Sequence, residues 1–263
     1  MVKRLSLALA VLLMCGCANI AGLGRLNEAE QASFNAHLNL ALRYIETSNR
    51  DLANIHLRKA AAVDAEAAEL LHGYALLYQM EGDSKLAGDF YRRALLQQPS
   101  YTLAHYNYGS LLYRNGEIAA ARTQLSLASS DLSSERRPQA LYILGLCEHQ
   151  LGNSSAALES YLRAIALAPN FADVRLAASQ VLFEQRQWQP ALAQLQQYDK
   201  LAEPTASSLW LEVQLAALLD QPDLFASASL ALRNLFPTAV QTQSLRARFG
   251  RSNSAPKEAN YVQ

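Results

Sequence analysis

Five histidines and three cysteines are the side chains of this 263-residue chain best suited to metal or nucleophilic chemistry. The histidines are His37, His56, His72, His105 and His149. No two of them have the close spacing that sets two imidazoles on one helix face, as in H-E-x-x-H. His37 and His105 fall at equivalent points of a repeat described below, which points to packing. Cys147 lies in an apolar helical run with Leu141, Leu144 and Leu146, and reads as a buried structural thiol. The sequence contains no G-x-S-x-G elbow, no phosphate-binding glycine loop and no paired-cysteine zinc pattern. Its acids are scattered over helix faces that read as solvated. The expectation is a binding protein and not an enzyme, with no metal site, no cofactor and no small-molecule substrate. Formal net charge is zero, and no basic patch suggests a nucleic-acid partner. Strongly apolar residues make up 51% of the chain, ample for a packed core.

The other two cysteines sit at the end of a leader-like segment. Met1-Val2-Lys3-Arg4 is basic, and an apolar run from Leu5 to Met14 follows. That run has the length of a signal-peptide core and is too short to span a bilayer as a helix. Met14-Cys15-Gly16-Cys17 then resembles a bacterial lipobox, with small Gly16 directly before Cys17. Cys15 fits less well, because Met14 before it is bulky. An ordinary secretory signal is the alternative. The resemblance implies a signal peptide over 1–16 and a lipid on Cys17. By the sorting rule of that class, Ala18 in place of aspartate directs the protein to the periplasmic face of the outer membrane. Several acyl chains, at about 0.8 kcal/mol per buried methylene, give a stable anchor. Cleavage would remove Lys3 and Arg4 and no acid, leaving a balance of −2. It would leave Cys147 as the one unmodified thiol, so no internal disulfide is expected.

What must position everything else is a repeat. Small residues recur at Ala41, Ala75, Gly109, Gly145 and Ser179, spaced 34, 34, 36 and 34 apart. A second ladder, Ala53, Ala87, Ala121, Ala157, Ala191 and Ala226, runs twelve residues behind. Each rung lies in an amphipathic segment of helical period. Small side chains let two antiparallel helices approach closely. Bulky neighbours fill the gaps alongside: Tyr44, Tyr78, Leu112 and Leu182 in the first helices, and Leu57, Tyr91, Leu125, Tyr161, Leu195 and Leu230 in the second. Turn formers such as Gly82-Asp83, Asn115-Gly116 and Gly152-Asn153 separate the helices of a pair, and Pro99, Pro169 and Pro237 end second helices. Chance periodicity in a four-helix bundle would not lock two ladders in phase. The tetratricopeptide motif has this length and these small-residue positions. The fold expected is all-α, a right-handed superhelical solenoid of about six tetratricopeptide (TPR) repeats over 30–249. The repeats read as about 34–67, 68–101, 102–135, 138–171, 172–205 and 207–240, with Gln214 replacing the small residue of the sixth. A tether over 17–29 would precede them, and a disordered polar tail over 250–263 would follow.

Similarity to the tetratricopeptide class implies a working surface. There the first helix of each pair lines a concave groove, with ligand-facing residues at the fifth, ninth and twelfth repeat positions among others. The corresponding residues here give a candidate partner-binding groove of Leu38, Leu42, His72, Leu76, Tyr106, Tyr113, Tyr142, His149, Leu176 and Phe183. It is apolar and aromatic with few charges, the character of a protein-binding patch. Packing between neighbouring first helices is the alternative role for each of them.

A narrower resemblance rests on Leu209-Trp210-Leu211, Asp223 to Ala228, and Leu232-Arg233-Asn234-Leu235-Phe236-Pro237. Asn54 to Ala60 and Ala104 to Gly109 add to it. These resemble the last and early repeats of the PilF/PilW pilotin family of type IV pilus lipoproteins. The resemblance implies binding to the pilus secretin, promotion of its outer-membrane localisation and multimer assembly, and a need for the protein in twitching motility. A TPR lipoprotein adaptor that docks periplasmic enzymes, such as cell-wall hydrolases, is the alternative.

Overall fold

The computed structural model describes residues 26–250. The signal segment, Cys17 and the polar tail from Arg251 lie outside the described residues. Thirteen helices and no strand occur among the described residues. The chain divides after Pro99 into two compact units.

The first unit holds α1 (Glu28–Glu46), α2 (Arg50–Ala61), α3 (Ala68–Met80) and α4 (Ser84–Gln97). The second holds α5 (Thr102–Arg114), α6 (Ile118–Ser130), α7 (Arg137–Gln150), α8 (Ser154–Leu167), α9 (Ala172–Glu184) and α10 (Trp188–Tyr198). It ends with α11 (Ala206–Leu218), α12 (Pro222–Leu235) and α13 (Val240–Phe249). Helices α1 to α12 form six antiparallel pairs, and the all-α TPR architecture expected from the ladders is the observed one.

Each pair closes in the same way. The residue that ends the turn has positive φ: Ser48, Gly82, Gly116, Gly152, Arg186 and Asp220. The next amide donates to a carbonyl five residues back, at 2.7 Å for Asn49 and 2.9 Å for Asp83, Glu117, Gln187 and Gln221. Asn153 does so at 2.8 Å. This left-handed C-terminal motif satisfies carbonyls that the helix end would otherwise orphan. Glycine fills it without a Cβ penalty in the middle pairs. The first helix starts earlier than its repeat alone requires. Asn27 and Glu30 exchange side-chain bonds with each other's amides, at 2.9 and 3.0 Å. This capping box makes residues 28 and 29, read from sequence as tether, the first turn of α1.

The two ladders meet at the helix crossings, and every rung from Ala41 to Ser179 and from Ala53 to Ala191 is buried. The closest approaches need glycine. A Cβ on Gly109 would sit 2.7 Å from Leu125 Cγ, and one on Gly145 would strike the Tyr161 ring. Where the rung is Ser179, its hydroxyl donates to the Ala191 carbonyl at 2.8 Å, tying one ladder to the other.

The sixth pair departs from the sequence reading by one residue. Ala226 is exposed and Leu230 is 55% exposed, whereas Phe225 and Ser229 are buried. The small first-helix position is taken by Val213, fully buried, not by Gln214. The register is therefore 34 residues after the fifth pair, as the positive-φ residues Arg186 and Asp220 also require. In this pair the usual sizes are swapped: large Phe225 occupies the ladder position and small Ser229 the bulky one. The Phe225 ring meets Phe249 of α13 edge-on at 5.1 Å. Leu245 and Phe249 of α13 bury against α11 and α12, while Arg246 and Arg248 face water. That is the arrangement of a capping helix.

The corrected register gives Glu212 a core-facing position. It occupies the place held by Leu144 and Ala178 in the two preceding first helices. Burial, with the Asp199 carboxylate nearby, pushes its pKa up to about 7. An acid raised above its unfolded value of 4.5 costs no stability below that pH. The cost sets in as pH rises from 4.5 to about 7 and is complete above that.

Two outcomes follow. Gly145→Ala should lower stability by about 1–3 kcal/mol in urea unfolding, since the Tyr161 ring has to move. Glu212→Gln should stabilise the protein by about 1–2 kcal/mol at pH 8, since solvent screens part of the effect at a partly exposed site, and by almost nothing at pH 4. A pH-independent effect on the melting temperature would contradict the second.

Candidate functional site

The sequence-derived groove residues divide by burial. In the first unit Leu38 and His72 are only 7% and 2% exposed, so they act as packing residues and not as open surface. Leu38 reaches α3 at Gly73, where a Cβ would lie 3.3 Å from its Cδ1. The His72 ring lies 5.8 Å from the Tyr91 ring, and burial lowers its pKa to about 4, so it is neutral. Leu42 and Leu76 are half-buried. A cavity of about 230 Å³ opens beside Leu38, walled also by Leu26, Phe34, Asp64 and Ala67.

In the second unit the first helices α5, α7, α9 and α11 stand side by side. Tyr106, Tyr113, Tyr142, His149, Leu176 and Phe183 are all half-buried there. Tyr142 is partly committed to packing, since its ring meets Phe171 edge-on at 5.2 Å and lies 6.2 Å from Tyr161. Tyr113 and His149 are joined to the next first helix in turn. The Tyr113 hydroxyl accepts from Gln150 Nε2 at 3.1 Å, and His149 Nε2 lies 2.7 Å from Glu184 Oε2. Position twelve of one repeat thus meets position thirteen of the next, twice in succession. These links restrain the Tyr113 and His149 side chains. The corrected register brings Trp210 and Gln214, both half-buried, to the sixth repeat's fifth and ninth positions. The Arg248 guanidinium lies 5.8 Å from the Trp210 ring centroid.

A second pattern escaped sequence reading. Residues nineteen apart join the first and second helices of three pairs. His37 Nδ1 lies 3.1 Å from His56 Nδ1, and His105 Nδ1 lies 2.7 Å from Gln124 Oε1. Arg175 Nη1 donates to Gln194 Oε1 at 3.0 Å. The Arg175 guanidinium also donates twice to the Pro169 carbonyl. His37 and His105 each join the two helices of a pair, and His37 does so through a histidine partner that no short-range motif reveals. Cys147 is fully buried, and burial raises its thiol pKa to about 11, so it is not a thiolate at neutral pH.

The tetratricopeptide repeat family model matches residues 91–134 and 109–172. The type IV pilus assembly protein PilF of Pseudomonas aeruginosa is 31% identical over 216 residues, covering 81% of this chain and 84% of that protein. The solved structure of Pseudomonas aeruginosa PilF superposes with a TM-score of 0.77 at 28% identity, over 84% of this chain and 99% of that one. The structure of PilW, a type IV pilus biogenesis factor, gives a TM-score of 0.66 at 21% identity, over the same shares, and shows likeness of fold. Identity at this level across four-fifths of the sequence, on the same arrangement of helix pairs, places the chain in the PilF family of TPR type IV pilus assembly proteins.

Proposed function

We propose that the chain is a pilotin: an outer-membrane lipoprotein, anchored through Cys17, that binds the type IV pilus secretin. It promotes the secretin's localisation and multimer assembly, and it works by binding rather than by catalysis. The observation that carries this reading is kinship with PilF over most of both chains. The first-helix face of the second unit supports it, because Tyr106, Tyr113 and Phe183 offer aromatic area with few charges. A secretin monomer has apolar, strand-edge surface before its ring closes, which is an aggregation hazard. A tethered partner would cover that surface near its destination, and the tether raises local concentration.

Deletion of the gene should leave secretin monomers or misplaced rings and abolish twitching, and the protein should co-purify with secretin from detergent-solubilised outer membrane. Normal secretin multimers in the deletion strain, or co-purification with cell-wall hydrolases and no secretin, would overturn the reading. Tyr106→Ala combined with Tyr113→Ala should weaken secretin binding by more than about 2 kcal/mol, measured by calorimetry on a variant with unchanged circular dichroism. Unaltered affinity would move the binding surface elsewhere on the protein.

A further inference from the structure

The contact that joins positions nineteen apart has a fixed chemical logic in two of its three occurrences. A donor on the first helix, His105 or Arg175, meets the amide oxygen of Gln124 or Gln194 on the second. The first pair breaks the pattern by setting imidazole against imidazole. His37 Nδ1 and His56 Nδ1 are 3.1 Å apart and the ring centroids 5.3 Å apart. The two nitrogens therefore lie almost on the line between the rings, and a single N–H···N bond joins them. Packing does not demand this choice, because glutamine at the equivalent of His56 serves the third pair.

We propose that His37 and His56 together form a chelating site for a borderline divalent transition metal, Cu²⁺ above all, with water in the remaining positions. Neutral imidazole is a ligand of choice for such ions, and Cu²⁺ stands highest in the divalent affinity order. Nitrogens 3.1 Å apart and metal–nitrogen bonds of about 2.0–2.1 Å define a bite angle of about 95–100°. That angle suits the cis positions of a tetragonal Cu²⁺ or Ni²⁺ ion better than the wider angle of tetrahedral zinc. To reach the ion, each lone pair turns by about 40° from the line between the nitrogens, which a χ2 change can supply. The proton shared between the two Nδ1 atoms passes through solvent to the Nε2 of its own ring. Binding to the neutral pair therefore releases no net proton.

The Tyr44 ring stacks on one face of His56, with centroids 5.5 Å apart. Both histidines are half-buried, so an ion can enter from solvent. Among the described residues no cluster of three or more His, Cys, Asp or Glu is placed to hold a metal, which leaves water to complete the shell. The bound ion would pin α1 to α2 at the start of the first unit.

The test is titration of the full mature chain with CuCl₂ and, separately, NiCl₂ at pH 7.5, by calorimetry and by electron paramagnetic resonance for copper. His56→Gln recreates the His105–Gln124 pair and keeps the contact. The wild type should bind one ion with micromolar or tighter affinity, show splitting from two nitrogens and gain melting temperature on binding. His56→Gln should lose at least tenfold in affinity and one of the two nitrogens, while matching the wild-type melting temperature in metal-free buffer. His37→Gln should behave alike. Equal affinity in wild type and both variants would overturn the proposal, as would a wild type that binds no ion below 100-fold molar excess.

Discussion

The structure depends on how closely the two helices of a pair approach at their crossing. That distance is set by one small residue on the first helix and a bulky one on the second. Gly109 beneath Leu125 and Gly145 beneath Tyr161 are the tightest cases, with no room for a methyl group. Once the crossing is fixed, the chain reverses through one turn geometry in all six pairs, whether glycine, serine, arginine or aspartate stands at the left-handed position. Three of those residues carry a Cβ in a region that costs an L-residue roughly 1–2 kcal/mol. The packed pair around them outweighs that cost.

The sixth pair shows that the constraint is on volume and not on residue type. Val213, Phe225 and Ser229 invert the usual order of small and large, and Phe225 reaches α13 as a result. The terminal pair gives up interchangeability with the others and gains a lid, since Leu245 and Phe249 cover what a seventh repeat would otherwise cover. Arg246 and Arg248 then turn that end towards water, as the last unit of a repeat array needs.

Because the crossing is so uniform, equivalent positions can carry different chemistry without changing the backbone. The contact nineteen residues apart is histidine–histidine, histidine–glutamine or arginine–glutamine on the same scaffold. The first-helix face varies in the same way. Its aromatic positions in the second unit, Tyr106, Tyr113, Tyr142 and Phe183, remain half-buried, and hydrogen bonds to the neighbouring helix hold two members of the same face, Tyr113 and His149. The Tyr113 hydroxyl and the His149 imidazole thus have polar partners within the fold, while the aromatic rings beside them keep part of their apolar area open.

The sequence by itself determined the repeat, its two ladders and the helical class, because small residues at a fixed period leave few other ways to bury the intervening apolar ones. It also held the true register of the sixth pair in Pro237, which stands where Pro99 and Pro169 stand only if the pair begins at Ala206. The alanine at 226 masked that signal, since a ladder read by size alone accepts the nearest small residue. Tertiary structure alone decided which groove positions are surface. Leu38 and His72 share a repeat position with Tyr106 and Tyr142, yet the first two are buried and the latter pair half-exposed. It alone brought His37 to His56, because a spacing of nineteen across a turn has no periodicity to betray it. Position within a repeat follows from local pattern; burial and partnership follow from what the neighbouring helices place opposite.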